Sequence, residues 1–137
     1  MCLSFAKLVT SEEDIITYKV FEDVEGNLYS PMYYYKWSRS TMKKECAGPP
    51  RNLLDIETTF GHGEIIYGGA FHSFKYRRDA EAYLDYLVHN QLWNKKLVIK
   101  KCVIPKDSKR IFAGIFTDGG DALCYASTEL ILLPNEF

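Results

Sequence analysis

The sequence carries no surplus of charge of either sign. Its 17 lysines and arginines stand against 18 aspartates and glutamates, which gives a net charge of −1. Proteins that bind nucleic acid need clustered cations, because binding is driven by release of the counterions of the phosphate backbone. The charge balance therefore predicts that nucleic acid is not a partner, and it leaves a protein or a small ligand to be considered.

Cysteine is sparse, and its four copies are widely spaced: Cys2, Cys46, Cys102 and Cys124. No two of them form a C-x-x-C pair and no histidine lies at ligand spacing, so neither a zinc framework nor a redox motif is predicted. We expect no metal and no cofactor. Scattered cysteines are typical of reduced thiols, and they predict a cytoplasmic protein. Cys2 would become an N-terminal nucleophile if Met1 were removed, but the sequence places no base beside it.

Long apolar runs are also missing. No stretch approaches the roughly 20 consecutive apolar residues that cross a bilayer. The first twenty residues contain Glu12, Glu13 and Asp14, whereas a secretory signal begins with basic residues followed by an apolar run. Glycine-rich phosphate loops, nucleophile elbows and helical zinc motifs are absent too. We therefore expect no membrane association, assign no catalytic residue, and leave open whether the chain is an enzyme.

What the chain does contain is enough apolar material for one core. With 137 residues, 47% of them hydrophobic, residues 1–137 are predicted to form a single domain. Periodicity disappears between residues 38 and 63, where Gly48-Pro49-Pro50 prevents regular structure, so a long irregular loop is predicted there. Loops of this length in small domains are typically functional or mobile.

The periodicity predicts an α+β fold, mainly an antiparallel sheet of about six to eight strands with one principal amphipathic helix at about residues 77–92. The predicted apolar stripe of this helix consists of Ala80, Tyr83, Leu84, Leu87, Val88 and Gln91. Strands are predicted at 15–21, 28–30, 32–37, 64–74, 97–104, 110–117, 122–126 and 129–133. The segment Leu97 to Ile104 is apolar on both faces, which predicts a strand inside the sheet.

The segment just before the helix combines groups that bind ligands. His72 and Ser73 follow the flexible pair Gly68-Gly69 and precede the helix start, where free N–H groups and the helix dipole favour anions. We interpret His72 and Ser73 as ligand-binding candidates. The alternative interpretation is a structural histidine beside a solvated basic turn.

Several strings, taken in order, resemble a group of small uncharacterised bacterial and bacteriophage proteins. They are the opening Met1-Cys2-Leu3, Tyr18-Lys19-Val20, Gly69-Ala70-Phe71-His72-Ser73-Phe74, the Lys101 to Lys106 segment KCVIPK, and Tyr125-Ala126-Ser127. The resemblance implies a cytoplasmic accessory protein of bacterial or phage origin. It implies no particular activity.

A looser similarity is to ADP-ribosyltransferase-like folds, which are compact antiparallel sheets with few helices. That similarity implies a nucleotide or NAD-like ligand and a site on the first strand and a late strand, at Tyr18, Lys19 and Glu129.

These observations lead to two hypotheses about function. The first is a non-catalytic module that binds a protein or a small ligand, because no catalytic motif is assembled while a long loop and a cluster of aromatics, Tyr33-Tyr34-Tyr35-Lys36-Trp37, are present. The alternative is a nucleotide- or NAD-handling enzyme.

Overall fold

The structure, a computed structural model, describes residues 2–29, 36–37, 45–46, 64–66, 71–89, 96–106, 108, 111–116, 120–127 and 129–132. Within these residues it contains one helix, α1 (Arg77–His89), and eleven strands. The strands are β1 (Cys2–Val9), β2 (Ile15–Val24), β3 (Asn27–Tyr29), β4 (Lys36–Trp37), β5 (Glu45–Cys46), β6 (Glu64–Ile66), β7 (Phe71–Phe74), β8 (Leu97–Ile104), β9 (Ile111–Phe116), β10 (Ala122–Ser127) and β11 (Glu129–Leu132). Seven of these strands have four residues or more, and every described pairing is antiparallel. The predicted α+β class with a mainly antiparallel sheet is confirmed.

β2 and β3 form a hairpin that is closed by a two-residue turn at Glu25 and Gly26. Glu25 and Gly26 both have positive φ, 53° and 84°, as the two central residues of a type I′ turn do. The Asp23 carboxylate accepts a hydrogen bond from the Gly26 N–H at 2.9 Å, which holds the turn closed. β9 and β10 also pair directly, in continuous register from Ala122↔Phe116 to Ser127↔Ile111.

The helix begins where it is predicted and ends at His89 within the described residues, while residues 90–92 lie outside them. Its buried positions are Ala80, Tyr83 and Leu87. The prediction that Val88 belongs to the buried stripe is wrong, because its side chain is 48% exposed. Leu84 is only half-buried. A sheet surface touches a narrower arc of a helix than the full i, i+3, i+4 pattern covers, so the outer members of the stripe face solvent.

The sheet order is β5-β11-β8-β2-β7-β10-β9-β1-β6, with β3 pairing β2 and β4 beside this path. β8 lies inside the sheet as predicted, although only its last three residues, Cys102 to Ile104, are buried. β1 was not predicted, because its apolar residues do not alternate strictly. Of the predicted loop at residues 38–63, the structure describes only β5, which pairs with β11; the rest of that range and the aromatics at 33–35 lie outside the described residues.

The sheet is strongly curled. β10 ends at Ser127 and β11 begins at Glu129, yet these strands lie four places apart in the sheet order. In a flat sheet that separation would be about 19 Å, whereas two residues of chain span at most about 7 Å. The Ser127 hydroxyl donates a hydrogen bond to the Glu129 carbonyl at 2.9 Å across this link. The strands therefore bend around towards one another, and the sheet has a concave inner face and a convex outer face.

Each face has its own core. The outer face carries α1, whose Tyr83 ring lies 5.1 Å from that of Phe116 on β9. The inner core contains buried residues from strands on both sides of the curl: Phe21, Leu28, Phe71, Cys102, Ile104, Ile111, Leu130 and Leu132. Because this one cluster includes residues of both β9 and β11, which are five places apart in the order, the inner face is enclosed by the curled sheet.

Candidate functional site

Lys19 is a lysine in the interior of the protein. Along β2 the side chains alternate, so that Val20 belongs to the outer core and Phe21 to the inner core. Lys19 therefore lies on the inner face with Phe21, and its Nζ is 5.9 Å from the centre of the Phe21 ring. The residue is only 7% exposed. Lysines are almost never buried to this extent without a partner, so its contacts decide what it does.

The Lys19 ammonium is held by a backbone carbonyl. Its Nζ donates a hydrogen bond of 2.8 Å to the carbonyl oxygen of His72 on β7. Within the described residues, β2 and β7 share a single register pair, Tyr18↔Phe74. The lysine therefore supplies a donor at a point where the backbone pairing between these strands has stopped. Among the described residues, no carboxylate forms an ion pair with Lys19.

Burial sets the electrostatics of this lysine. Loss of hydration lowers the pKa of Lys19 from 10.5 to about 8, and interactions with the Cys102 and Cys124 thiols oppose this larger effect. Burial raises the pKa of Cys124 to about 12, so this thiol stays neutral near pH 7 and does not serve as a counter-ion. A substantial share of Lys19 is consequently present as the neutral amine just above neutral pH.

Two buried hydroxyl groups lie on the same inner face. Thr17 is two residues before Lys19 on β2, and Ser73 on β7 pairs with Tyr125, a neighbour of the inner core. Thr17 and Ser73 are each at most 1% exposed. Their hydroxyl oxygens have no hydrogen-bond partner among the residues that the structure describes. Buried hydroxyls are nearly always satisfied in native proteins, so two of them on one enclosed face indicate a place where another polar group belongs.

A second cation faces Lys19 across the strands. Lys100 on β8 is the direct register partner of Lys19, and β8 alternation places it on the same inner face as Cys102. Directly opposed like charges destabilise a sheet. An anion bound on this face would reduce that repulsion.

The structure brings together only some of the predicted site residues. Lys19 and Ser73 lie on the inner face, and the backbone of His72 connects them. The side chains of His72 and Tyr18 belong to the outer face, because they alternate with Ser73 and Lys19. His72 is buried within its strand, so it does not line an open cleft at the helix start.

Glu129 does not join this group. It alternates with Leu130, which belongs to the inner core, so its side chain lies on the other face of β11. β8 also separates β11 from β2 in the sheet. Thr17 and Lys100 are residues of the inner face that sequence reasoning missed; the pattern that points to Thr17 is a threonine two residues from a lysine within a predicted strand.

No family model, no curated protein and no solved structure matches the chain. The described part of the chain includes no helix long and apolar enough to cross a membrane. It also includes no group of three or more histidines, cysteines, aspartates or glutamates that could hold a metal ion. The resemblance to small bacterial and bacteriophage proteins stays a prediction, and the site has to be interpreted from its own chemistry.

Proposed function

We propose that this protein is a binding module for a small ligand with a carboxylate or phosphate group, held on the inner face of the curled sheet at Lys19. The observation that carries the proposal is a buried ammonium that, among the described residues, meets one carbonyl and no carboxylate. Taking a cation out of water without a counter-ion costs several kcal/mol. An anion on the inner face would offset that cost.

The neighbouring groups support an anionic ligand. The Thr17 and Ser73 hydroxyls are donors that an oxyanion accepts from, and hydrogen bonds to a charged acceptor are about twice as strong as neutral ones. Lys100 adds a second positive charge on the same face. The Lys19 amine and the Thr17 and Ser73 hydroxyls are three buried donors on one face, which suits a multidentate anion such as carboxylate or phosphate.

We further propose that the module works in the cytoplasm as a small accessory protein, of the bacterial or phage kind that the sequence resembles. Support for this location comes from Cys124, a buried free cysteine, as a reduced thiol in the cytoplasm would be. A protein partner was the other possibility within the first hypothesis. The polar, enclosed surroundings of Lys19 favour a small ligand, since protein interfaces form on exposed surface.

The enzymatic alternative receives less support. A nucleotide- or NAD-handling enzyme of ADP-ribosyltransferase-like fold would need Tyr18, Lys19 and Glu129 to converge on one cleft, whereas strand alternation puts Lys19 on a different face from Tyr18 and Glu129. We therefore keep the non-catalytic binding module as the proposed function.

The test compares anions with matched neutral compounds in a thermal-shift assay. Propionate, succinate and phosphate are titrated against propionamide, with sodium chloride matching the ionic strength. A ligand at a hundred times its dissociation constant stabilises the folded state by about 2.7 kcal/mol. The expected result is that an anion raises the melting temperature of the native chain and of the exposed-site control Lys7→Met, but not of Lys19→Met.

Two further variants separate loss of folding from loss of binding. Circular dichroism must show that Lys19→Met is folded, and Thr17→Val, which keeps the size and branching of the side chain, gives an independent measurement. Thr17→Val should weaken the response by the loss of one hydrogen bond to an anion, about 1.5–3 kcal/mol. The proposal is wrong if no anion stabilises the native chain, or if Lys19→Met responds as the native chain does.

A further inference from the structure

We propose that Lys19 is a nucleophile that forms an imine with the carbonyl carbon of a small α-keto acid or 2-oxo aldehyde. The carboxylate or other polar end of that compound would occupy the anion site, so this inference rests on the proposed function for orientation. In the proposed function Lys19 contributes only its positive charge, whereas here its nitrogen also forms a covalent bond to the ligand.

The contacts of Lys19 leave its nitrogen available for this chemistry. An ammonium group has three N–H donors and no lone pair, and a carboxylate partner would hold it in that form. Lys19 has no such partner among the described residues; its recorded acceptor is the His72 carbonyl at 2.8 Å. A neutral amine can keep this one hydrogen bond and still direct its lone pair at a bound carbonyl carbon.

The surroundings of the amine match those of lysines that act as nucleophiles. Such lysines are activated by desolvation or by a nearby second cation, and Lys19 has the first of these through its burial. A pKa of about 8 makes the neutral amine roughly 300-fold more abundant near pH 7 than in a lysine with the ordinary pKa of 10.5. Exposed lysines such as Lys7 and Lys106 lack this environment.

The step balances without any further reagent. The nitrogen lone pair forms a bond to the carbonyl carbon, and a proton moves from nitrogen to the carbonyl oxygen to give a carbinolamine. The hydroxyl then leaves, the remaining N–H proton combines with it to give water, and the nitrogen lone pair forms the C=N bond. The Thr17 and Ser73 hydroxyls lie on the same face, where they are able to hydrogen-bond the oxygen as it becomes negative and then departs.

The experiment traps the imine by reduction. The full-length chain is incubated with pyruvate or glyoxylate and sodium cyanoborohydride near neutral pH, and the secondary amine that results is located by peptide mass spectrometry. The expected result is modification at Lys19 at least about tenfold faster than at Lys7 or Lys106, because the neutral amine is enriched there. Lys7→Met should be modified as fast as the native chain, and Lys19→Arg should lose the fast phase while keeping a cation for the ligand.

Competition distinguishes this inference from the proposed function. Propionate has the carboxylate but no carbonyl, so it should slow the labelling by pyruvate if both occupy the same site. If propionate stabilises the chain while Lys19 is labelled no faster than exposed lysines, the imine inference is wrong and the anion site stands. If Lys19 is labelled fast by glyoxylate but no anion stabilises the chain or competes, the nucleophile stands and the proposed anion site is wrong.

Discussion

Replacing Lys19 by methionine should change how the stability of the protein depends on pH, whereas replacing an exposed lysine should not. Methionine has about the length of the lysine stem and carries no charge, so it fills the same space on the inner face. In the native chain the ammonium is buried against one carbonyl oxygen and the Phe21 ring. The cost of that burial is present in the folded chain and absent in the unfolded one.

The pKa values give the size and the sign of the effect. The pKa of Lys19 falls from 10.5 in the unfolded chain to about 8 in the folded chain, which corresponds to on the order of 3 kcal/mol. Below about pH 8 both states carry the proton and the folded chain bears the whole penalty. Between about pH 8 and 10.5 the unfolded chain binds more protons, so the stability of the native chain rises with pH through this window.

Loss of the hydrogen bond works in the opposite direction. Methionine cannot donate to the His72 carbonyl, and leaving a buried acceptor unsatisfied costs about 1–3 kcal/mol at every pH. Near pH 7 the two contributions nearly cancel, so Lys19→Met should be about as stable as the native chain. At pH 10.5, where the charge penalty has vanished, the variant should be less stable by about 1–3 kcal/mol.

Urea denaturation from pH 7 to 10.5 measures this directly. Other groups titrate in the same range, so the informative quantity is the free energy of unfolding of the native chain minus that of the variant at each pH. This difference should grow by on the order of 3 kcal/mol across the window for Lys19→Met and stay constant for the exposed control Lys7→Met. A difference for Lys19→Met that does not vary with pH would refute a buried, charged Lys19.

Further outcomes follow from the packing. Leu87→Ala should destabilise the chain by about 2–5 kcal/mol in urea melts, since it empties a buried contact of α1, whereas the neighbouring Val88→Ala should cost no more than about 0.5 kcal/mol. Cys102 and Cys124 should react with a thiol reagent at mildly alkaline pH only after unfolding, because both are buried; fast reaction of the folded chain would contradict their placement. Gly120→Ala should cost roughly 1–2 kcal/mol through its φ of 113° rather than through a clash, because an added Cβ has no atom within 4 Å, and a neutral result in a thermal melt would show that the backbone relaxes at this residue.

Local patterns were enough to predict the class of fold and most of its long elements. The span of β8 and the start of α1 follow from the strand and helix periods of the sequence. Val88 shows the limit of this reasoning. Periodicity identifies which residues of α1 lie on its apolar side. It does not tell how many of them contact the sheet, and Val88 is apolar but exposed.

The site was only partly predictable, for a related reason. Strand alternation separates Lys19 from Tyr18 and Ser73 from His72, but the sequence does not tell which face will be enclosed. Both faces of β2 contain buried residues, so composition favours neither. The His72 side chain attracted attention because histidine is chemically versatile, whereas the backbone carbonyl that His72 offers to Lys19 would be the same for any residue at that position.

The closing of the sheet is what turns a lysine on a strand into a buried one. In a flat sheet with α1 on one side, the other side of β2 would face solvent, and Lys19 would be an ordinary hydrated cation. The short passage from Ser127 to Glu129 forces β10 and β11 together, and the inner core that results contains Phe21 and Phe71, neighbours of Lys19 and Ser73 along their strands. The order in which the strands pair between β11 and β10 is a long-range property, which no local window of sequence contains. The chemistry proposed for Lys19 therefore depends on this link, and the pH dependence of the Lys19→Met variant tests the enclosure and the site together.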